Sequence, residues 1–247
     1  GNPAELEKSL ATRTATDSAG RPFYNPNPGP DGLNSQQKII TFIENHDGLN
    51  RFRVAGITEQ RNRLAQALLL TLPGIPCLYY GTEYALADEA GKTGQDGESG
   101  RMMFYHKNGG PTVREVKSSA AFKEISQLAA LRASMPVLRT GKLHPLWVDS
   151  GAGGTDDGVF AFARSADDGG TFAVVVVNAS DKPRVTTDGT DHMRLPPGLK
   201  TEGKVLRPLL VTGPGPAPAV KDVPAAGQLD LAVPASGLVV YGAFDAR

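Results

Sequence analysis

Cysteine is almost missing from this sequence: Cys77 stands alone among 247 residues. One thiol excludes an internal disulfide and any cysteine-based metal cluster, and in its apolar surroundings it reads as a small core residue. Net charge is missing too. Lys and Arg together number 26, as do Asp and Glu, so no charge field draws in nucleic acid or an anionic membrane. No apolar run approaches the roughly 20 residues that span a bilayer. The chain starts at Gly1 rather than Met, with no signal peptide behind it. The N-terminus therefore reads as cut, processed or engineered, and no targeting segment reports on localisation.

Familiar chemical motifs are absent as well. His106, His144 and His192 are isolated and no H-E-x-x-H occurs, so a zinc site is unsupported. There is no Walker A sequence, no G-x-G-x-x-G after a strand and no G-x-S-x-G, which removes phosphate-loop and hydrolase-elbow chemistry. What remains is a globular composition, 40% hydrophobic and 21% charged. The length suffices for one large domain or two ordinary ones.

The first half reads as mixed helix and strand. "NPAELEKSLATRT" predicts a short helix with Asn2 as N-cap, Pro3 at its first position, and Leu6 and Leu10 on one face. Residues 16–36 form a Pro/Gly/Asn-rich connection. "KIITFI" reads as a strand buried on both faces. Thr58 caps a helix running to Leu72, with Leu64, Leu68 and Leu72 as its stripe, ended by Pro73 and Gly74. "IPCLYY" reads as a second buried strand. Strand, helix and strand at this spacing predict parallel pairing across a helical crossover. A further helix places Phe122, Ile125, Leu128 and Ala129 on one face. After about residue 140 the pattern turns to β: a hairpin, "GVFAFARSADDGGTFAVVVVNAS", then short strands at "LDLAV" and "GLVVYGAF". This predicts an antiparallel sandwich appended to an α/β unit.

The densest chemistry lies in "TFIENHDGLNRF", residues 41–52, where Glu44, Asn45, His46 and Asp47 follow an apolar run. Parallel α/β folds bind ligands at the carboxyl ends of strands. An Asn/Asp turn bonding its own backbone is the bland alternative, and the number of ionisable groups favours function. "GIPCLYYGTE" also ends a strand, with Tyr79 and Tyr80 as core or pocket wall, Gly81 as a turn and Glu83 either at the site or capping the next segment. The loop bearing Asp88, Glu89, Asp96 and Glu98 is dense in oxygen ligands but lacks EF-hand spacing, so a solvated loop is the better reading.

Four blocks in order resemble the α-amylase family of glycoside hydrolases. "FIENHD" resembles its fourth signature region, at the end of the seventh barrel strand. "GIPCLYYGTE" is similar to its eighth-strand block, G-I-P-x-x-Y-Y-G-x-E. "FKEISQLAALRASMPVLRTGK" resembles the last barrel helix and the exit to the C-terminal domain, and "GVFAFAR…FAVVVVNAS" the opening hairpin of that domain. The resemblance covers roughly residues 37–247. It implies an α/β fold: residues 1–138 as the C-terminal part of a (β/α)8 barrel holding strands 7 and 8, and residues 139–247 as an all-β sandwich.

By position, the resemblance makes Asp47 the carboxylate that stabilises the transition state. His46 and Asn45 become sugar-binding groups, and Arg51 a contact to a neighbouring sugar. The family's usual spacing is N-H-D-x-x-R, whereas three residues separate Asp47 from Arg51. "RMMFY" departs from the family's R-x-P-M-x-W. The family is retaining and needs an Asp nucleophile and a Glu acid/base, yet G-x-R-x-D occurs nowhere in this sequence. The resemblance therefore implies a part of an enzyme acting on α-glucosidic bonds, working with an N-terminal part in the same or a companion chain. The expected partner is an α-linked oligosaccharide or polysaccharide, with no nucleic acid and no membrane. No cofactor is required for the chemistry, structural calcium belongs to the complete enzyme if present, and the resemblance favours a secreted or periplasmic location. A non-catalytic carbohydrate-binding or interaction module is the alternative.

Overall fold

The computed structural model describes residues 3–11, 18–19, 27–46, 51–54, 56–87, 111–149, 158–225 and 227–246. Its first part carries α1 (Pro3–Ala11), α2 (Ser35–Lys38), β1 (Ile40–Thr41), α3 (Glu59–Thr71), β2 (Ile75–Pro76), α4 (Val113–Ser118), α5 (Ala120–Ser134) and α6 (Pro136–Thr140). Strands follow: β3 (Lys142–Asp149), β4 (Val159–Ser165), β5 (Phe172–Asn178), β6 (Arg184–Val185), β7 (Met193–Arg194) and β8 (Lys204–Val211). The last four are β9 (Lys221–Asp222), β10 (Gln228–Leu229), β11 (Ala232–Val233) and β12 (Gly237–Asp245). No helix among the described residues is long and apolar enough to cross a membrane. Asn2, the expected cap of α1, lies outside the described residues.

Helix α3 begins where its sequence says it should. The Thr58 hydroxyl accepts from the Arg61 backbone N–H at 3.2 Å, satisfying one of the orphan donors of a helix start. Leu64, Leu70 and Leu72 are buried, with Leu68 packed against the same core. After Pro73 the chain turns at Gly74, where φ is +102° and a Cβ would lie 2.7 Å from the Ile39 carbonyl oxygen. That same oxygen accepts from Ile75 N–H at 2.8 Å, so only glycine lets β2 approach β1 this closely. The two strands then pair in parallel, Ile40 opposite Ile75 and Thr41 opposite Pro76. The strand–helix–strand unit is thus as the spacing implies.

Its strands are shorter and barer than expected. Residues 35–38 are helical, because Asn34 and Gln37 form a reciprocal capping box. Ile40 is 61% exposed, Phe42 51% and Ile75 52%, against the expectation of strands buried on both faces. The reason is pairing: among the described residues β1 and β2 pair only with each other, leaving outer edges and apolar side chains without cover. A barrel is not seen in two such strands. On α5, Ala129 is exposed and the inward positions are Ala121, Leu128 and Arg132.

The β region centres on one antiparallel sheet of order β3-β4-β5-β12-β8-β9. Every residue of β4 and β5 is buried, because both faces are covered. Phe160, Phe162, Val175 and Val177 point to the helices, where Leu10, Leu64, Leu128 and Leu138 meet them. Val159, Ala161, Val174 and Val176 point to the other layer, which contains Met193, Leu195, Leu231 and Val233. Two ribbons, β6 with β11 and β7 with β10, bring those residues over the sheet. The hairpin and the strand at "GLVVYGAF" match the sequence pattern, whereas "LDLAV" is divided between β10 and β11, which pair with different strands. Strands β3 and β8 each contain a proline, which argues against a strand in sequence. Pro145 lies on the edge strand beside a register shift, and Pro208 faces the shift at Val240/Tyr241, the places a sheet tolerates one.

Because Val174 and Val176 are wholly buried in the second layer, Val176→Ala is expected to cost about 2 kcal/mol. A chain of this size should then lose roughly 4–8 °C in Tm, read by thermal denaturation. His144 on β3 shares a 2.8 Å hydrogen bond with Ser165. Burial, then the charge of Lys142, hold its imidazole below the ordinary 6.5. The unfolded chain therefore binds that proton first, and stability should decline as pH falls from about 6.5 towards the folded-state value. Melting temperatures measured across that range should fall less steeply in His144→Gln.

Two buried arginines join the helices to the sheet. Arg164 of β4 donates from Nη1 to the carbonyls of Thr71 (2.8 Å) and Leu138 (3.0 Å), and from Nη2 to Gly141 (3.0 Å). Arg132 of α5 donates from Nη1 to Leu70 (2.9 Å), Leu72 (3.1 Å) and Leu138 (2.6 Å), and from Nη2 to Gly74 (2.6 Å). The C-terminal carbonyls of α3, which no helix can satisfy internally, are thereby capped from two other elements.

Candidate functional site

The carboxyl ends of β1 and β2 lie side by side, and the loops leaving them are fastened through one buried carboxylate. Glu44 is 8% exposed and Arg51 2%. Glu44 Oε1 accepts from the Thr82 hydroxyl and lies 3.5 Å from Arg51 Nη1, while Oε2 accepts from Phe52 N–H at 2.7 Å. Arg51 Nη1 also donates to the Tyr80 carbonyl at 2.6 Å. Its guanidinium carbon sits 4.7 and 4.9 Å from the ring centroids of Tyr79 and Tyr80, a cation–π contact with two neighbouring rings. Removed from water, the two charges depend on one another and on these hydrogen bonds.

The turn after β2 is shaped to receive this pair. Gly81 has φ +87°, and a Cβ there would meet Leu86 at 3.1 Å and the Arg51 guanidinium at 3.2 Å. A short 3-10 turn, Thr82–Tyr84, then presents the Thr82 hydroxyl to Glu44. Arg53 donates to the Ala85 carbonyl at 2.6 Å, a second tie between the two loops. Glu83 has its carbonyl bonded by Ser119 at 3.3 Å. Beside these loops is a polar cavity of ≈490 Å³ lined by Arg53, Glu59, Tyr84, Leu86, Glu115 and Ser119.

Of the residues singled out in sequence, Asn45 is half-buried and His46 exposed, directly beyond Glu44 at the strand end. Asp47 lies outside the described residues. Arg51 is turned inward onto Glu44 and the two tyrosines. Glu44 has no role in the sequence reading, yet it is the hub. The cue was an acid placed at the end of an apolar run, with Arg51 seven residues on and a threonine beyond the second strand. Among the described residues, no three His, Cys, Asp or Glu side chains converge on a metal-sized site. The acidic loop containing Asp88, Glu89, Asp96 and Glu98 lies outside the described residues, as does His106.

A larger groove of ≈760 Å³ flanks β1, lined mainly by apolar side chains including Leu6, Ile40, Phe42, Ile57, Leu68 and Phe160. Its chemistry is that of a packing surface, unlike the polar strand ends.

No family model matches the chain. The cyclomaltodextrin glucanotransferase of Bacillus licheniformis is 32% identical over 170 residues, which are 69% of this chain and 18% of that protein. An α-amylase of Niallia circulans is 31% identical over 168 residues, 66% of this chain and 26% of that protein. The chain thus spans about a fifth to a quarter of the length of these curated relatives. Among solved structures, a debranching enzyme from Nostoc punctiforme superposes with a TM-score of 0.63 over 98% of this chain and 40% of its own, at 22% identity. A likeness at that identity speaks to the fold. In all of them the similarity falls in the C-terminal part.

Proposed function

We propose that this chain, a member of the α-amylase family of glycoside hydrolases matching the C-terminal part of its enzymes, contributes one side of a sugar-cleaving site to a complete retaining enzyme. That enzyme would act on α-glucosidic bonds, by hydrolysis or transglycosylation. The observation carrying this reading is the pair of parallel strands, β1 and β2, whose loops are locked together where Asn45 and His46 follow the first of them. In such folds the strand ends hold the reacting groups.

In this reading β1 and β2 are the seventh and eighth strands of a (β/α)8 barrel within residues 1–138, and residues 139–247 form the C-terminal β domain. Exposed Ile40, Phe42 and Ile75 are the seat of the remaining barrel strands, supplied by an N-terminal part of the same enzyme. The nucleophile and the general acid sit on that part. Asp47 binds the sugar at the cleavage point more tightly as the oxocarbenium-like transition state forms. His46 and Asn45 hydrogen-bond the same sugar. Arg51 acts from its buried position, holding the loop, rather than reaching a neighbouring sugar with its own guanidinium.

Release of reducing sugar from α- and β-linked glucans tests the proposal. The complete enzyme should turn over the α-linked substrate and leave the β-linked one intact, and residues 1–247 alone should turn over neither. Glycan binding by the complete protein without turnover would instead favour a carbohydrate-binding module, and turnover by the isolated chain would refute the shared site.

A further inference from the structure

The buried carboxylate of Glu44 has no place in sugar binding or bond cleavage as described above, yet three groups from two loops converge on it. It accepts from Phe52 N–H and Thr82 Oγ1 and faces Arg51 Nη1 at 3.5 Å. Glu44 stands near the start of the loop after β1, and its partners come from the later part of that loop, at Arg51 and Phe52, and from the turn after β2, at Thr82. A carboxylate this enclosed and already accepting from two donors is poorly suited to taking a proton from a substrate. It is well suited to fixing where neighbouring Asn45 and His46 begin. We infer that Glu44 is a positioning residue for the reaction, setting Asn45 and His46 against the turn at Thr82 through its bonds to Thr82, Phe52 and Arg51. This inference rests on the reading of the site given above.

The physical reason for expecting a kinetic effect is geometric. Reacting groups displaced by about 1 Å can lose roughly a hundredfold in rate, and Glu44 is the group that spans both loops. Stability and positioning can be separated by removing both charges together. Losing one member of a buried pair strands the other, whereas replacing both with apolar groups of similar shape can be nearly neutral for folding.

The experiment compares Glu44→Ala, Glu44→Gln and the double variant Glu44→Leu/Arg51→Met in the complete enzyme on a maltooligosaccharide, with Asp47→Asn as control. Glu44→Ala should lose Tm and lower kcat by about 10- to 100-fold. Glu44→Gln, which keeps the shape, should fall between it and the wild type. The double variant should recover most of the Tm while kcat stays at least about tenfold low and KM changes less than kcat. Wild-type kcat in the folded double variant or in Glu44→Ala would overturn the inference and leave Glu44 a fold-stabilising group. If Asp47→Asn itself turns over normally, the reading of the site fails and the role of Glu44 falls with it. A lost control together with an intact Glu44 series sinks the positioning role alone.

Discussion

Asp47→Asn in the complete enzyme is expected to lower kcat by about 10²–10³-fold or more, while Tm moves by no more than a degree or two. The size of the kinetic effect follows from where charge develops. The cleaved sugar acquires positive character at its ring as the glycosidic bond stretches, and a fixed carboxylate at that sugar stabilises the transition state more than the bound ground state. Removing one electrostatic partner of a developing charge typically costs that much in rate. Asn keeps the shape and some hydrogen bonding but removes the charge, so binding should suffer less than turnover and KM should change less than kcat. Steady-state kinetics on a maltooligosaccharide, with a melting curve on the same sample, gives both numbers. A kcat within threefold of wild type would show that Asp47 does not stabilise the transition state.

Arg164→Met is expected to destabilise the fold by about 2–5 kcal/mol, or very roughly 5–15 °C in Tm. Arg164 is fully buried and its bonds go to main-chain carbonyls of Thr71, Leu138 and Gly141. Burial, followed by the charge of Arg132, pushes its guanidinium down to about 9, still a cation at neutral pH. Burying that charge is costly, and the carbonyl dipoles, including one at the negative end of α3, offset the cost. Methionine matches much of the volume and relieves the desolvation, but it leaves the Thr71 and Gly141 oxygens without this donor. Each such loss inside a protein costs about 1–3 kcal/mol. Arg164→Lys should be less harmful, though still damaging, because an ammonium cannot reproduce the planar fork that reaches several carbonyls at once. Chemical denaturation of the three proteins decides it. A loss below about 0.5 kcal/mol in the Met variant, the range of ordinary surface changes, would mean the carbonyls find other donors.

Much of this fold could be read in the sequence where local chemistry and tertiary packing agree. Thr58 caps α3 in both, and the Leu64–Leu68–Leu72 stripe faces the core. The β4–β5 hairpin follows from two apolar runs around an Asp/Gly turn, and its unbroken burial from layers on both faces. Other elements were hidden for nameable reasons. Pro145 and Pro208 masked β3 and β8, because proline argues against a strand until register shifts make room for it. "KIITFI" suggested a longer buried strand than forms, since burial of β1 depends on neighbours that the described residues do not include. Arg132 and Arg164 were the quietest signals: Arg132 follows Leu128 by four residues on α5, and Arg164 follows Phe162 by two on β4. Both therefore point inward by simple periodicity, although their charge suggests a surface. At the strand end, the sequence drew attention to Asn45, His46, Asp47 and Arg51. Only the geometry shows that Arg51 is held inward and that Glu44 does the fastening.

On this proposal the reaction is shared between this chain and the part of the enzyme that carries the nucleophile. Trapping the covalent glycosyl intermediate of the complete enzyme with a slow-turnover fluoroglycoside, then digesting it and locating the label by mass spectrometry, tests this most directly. The label should sit on an aspartate outside residues 1–247, and Asp47→Asn should slow its formation. A label on Asp47, Glu44 or any other residue of this chain would rule out a shared site.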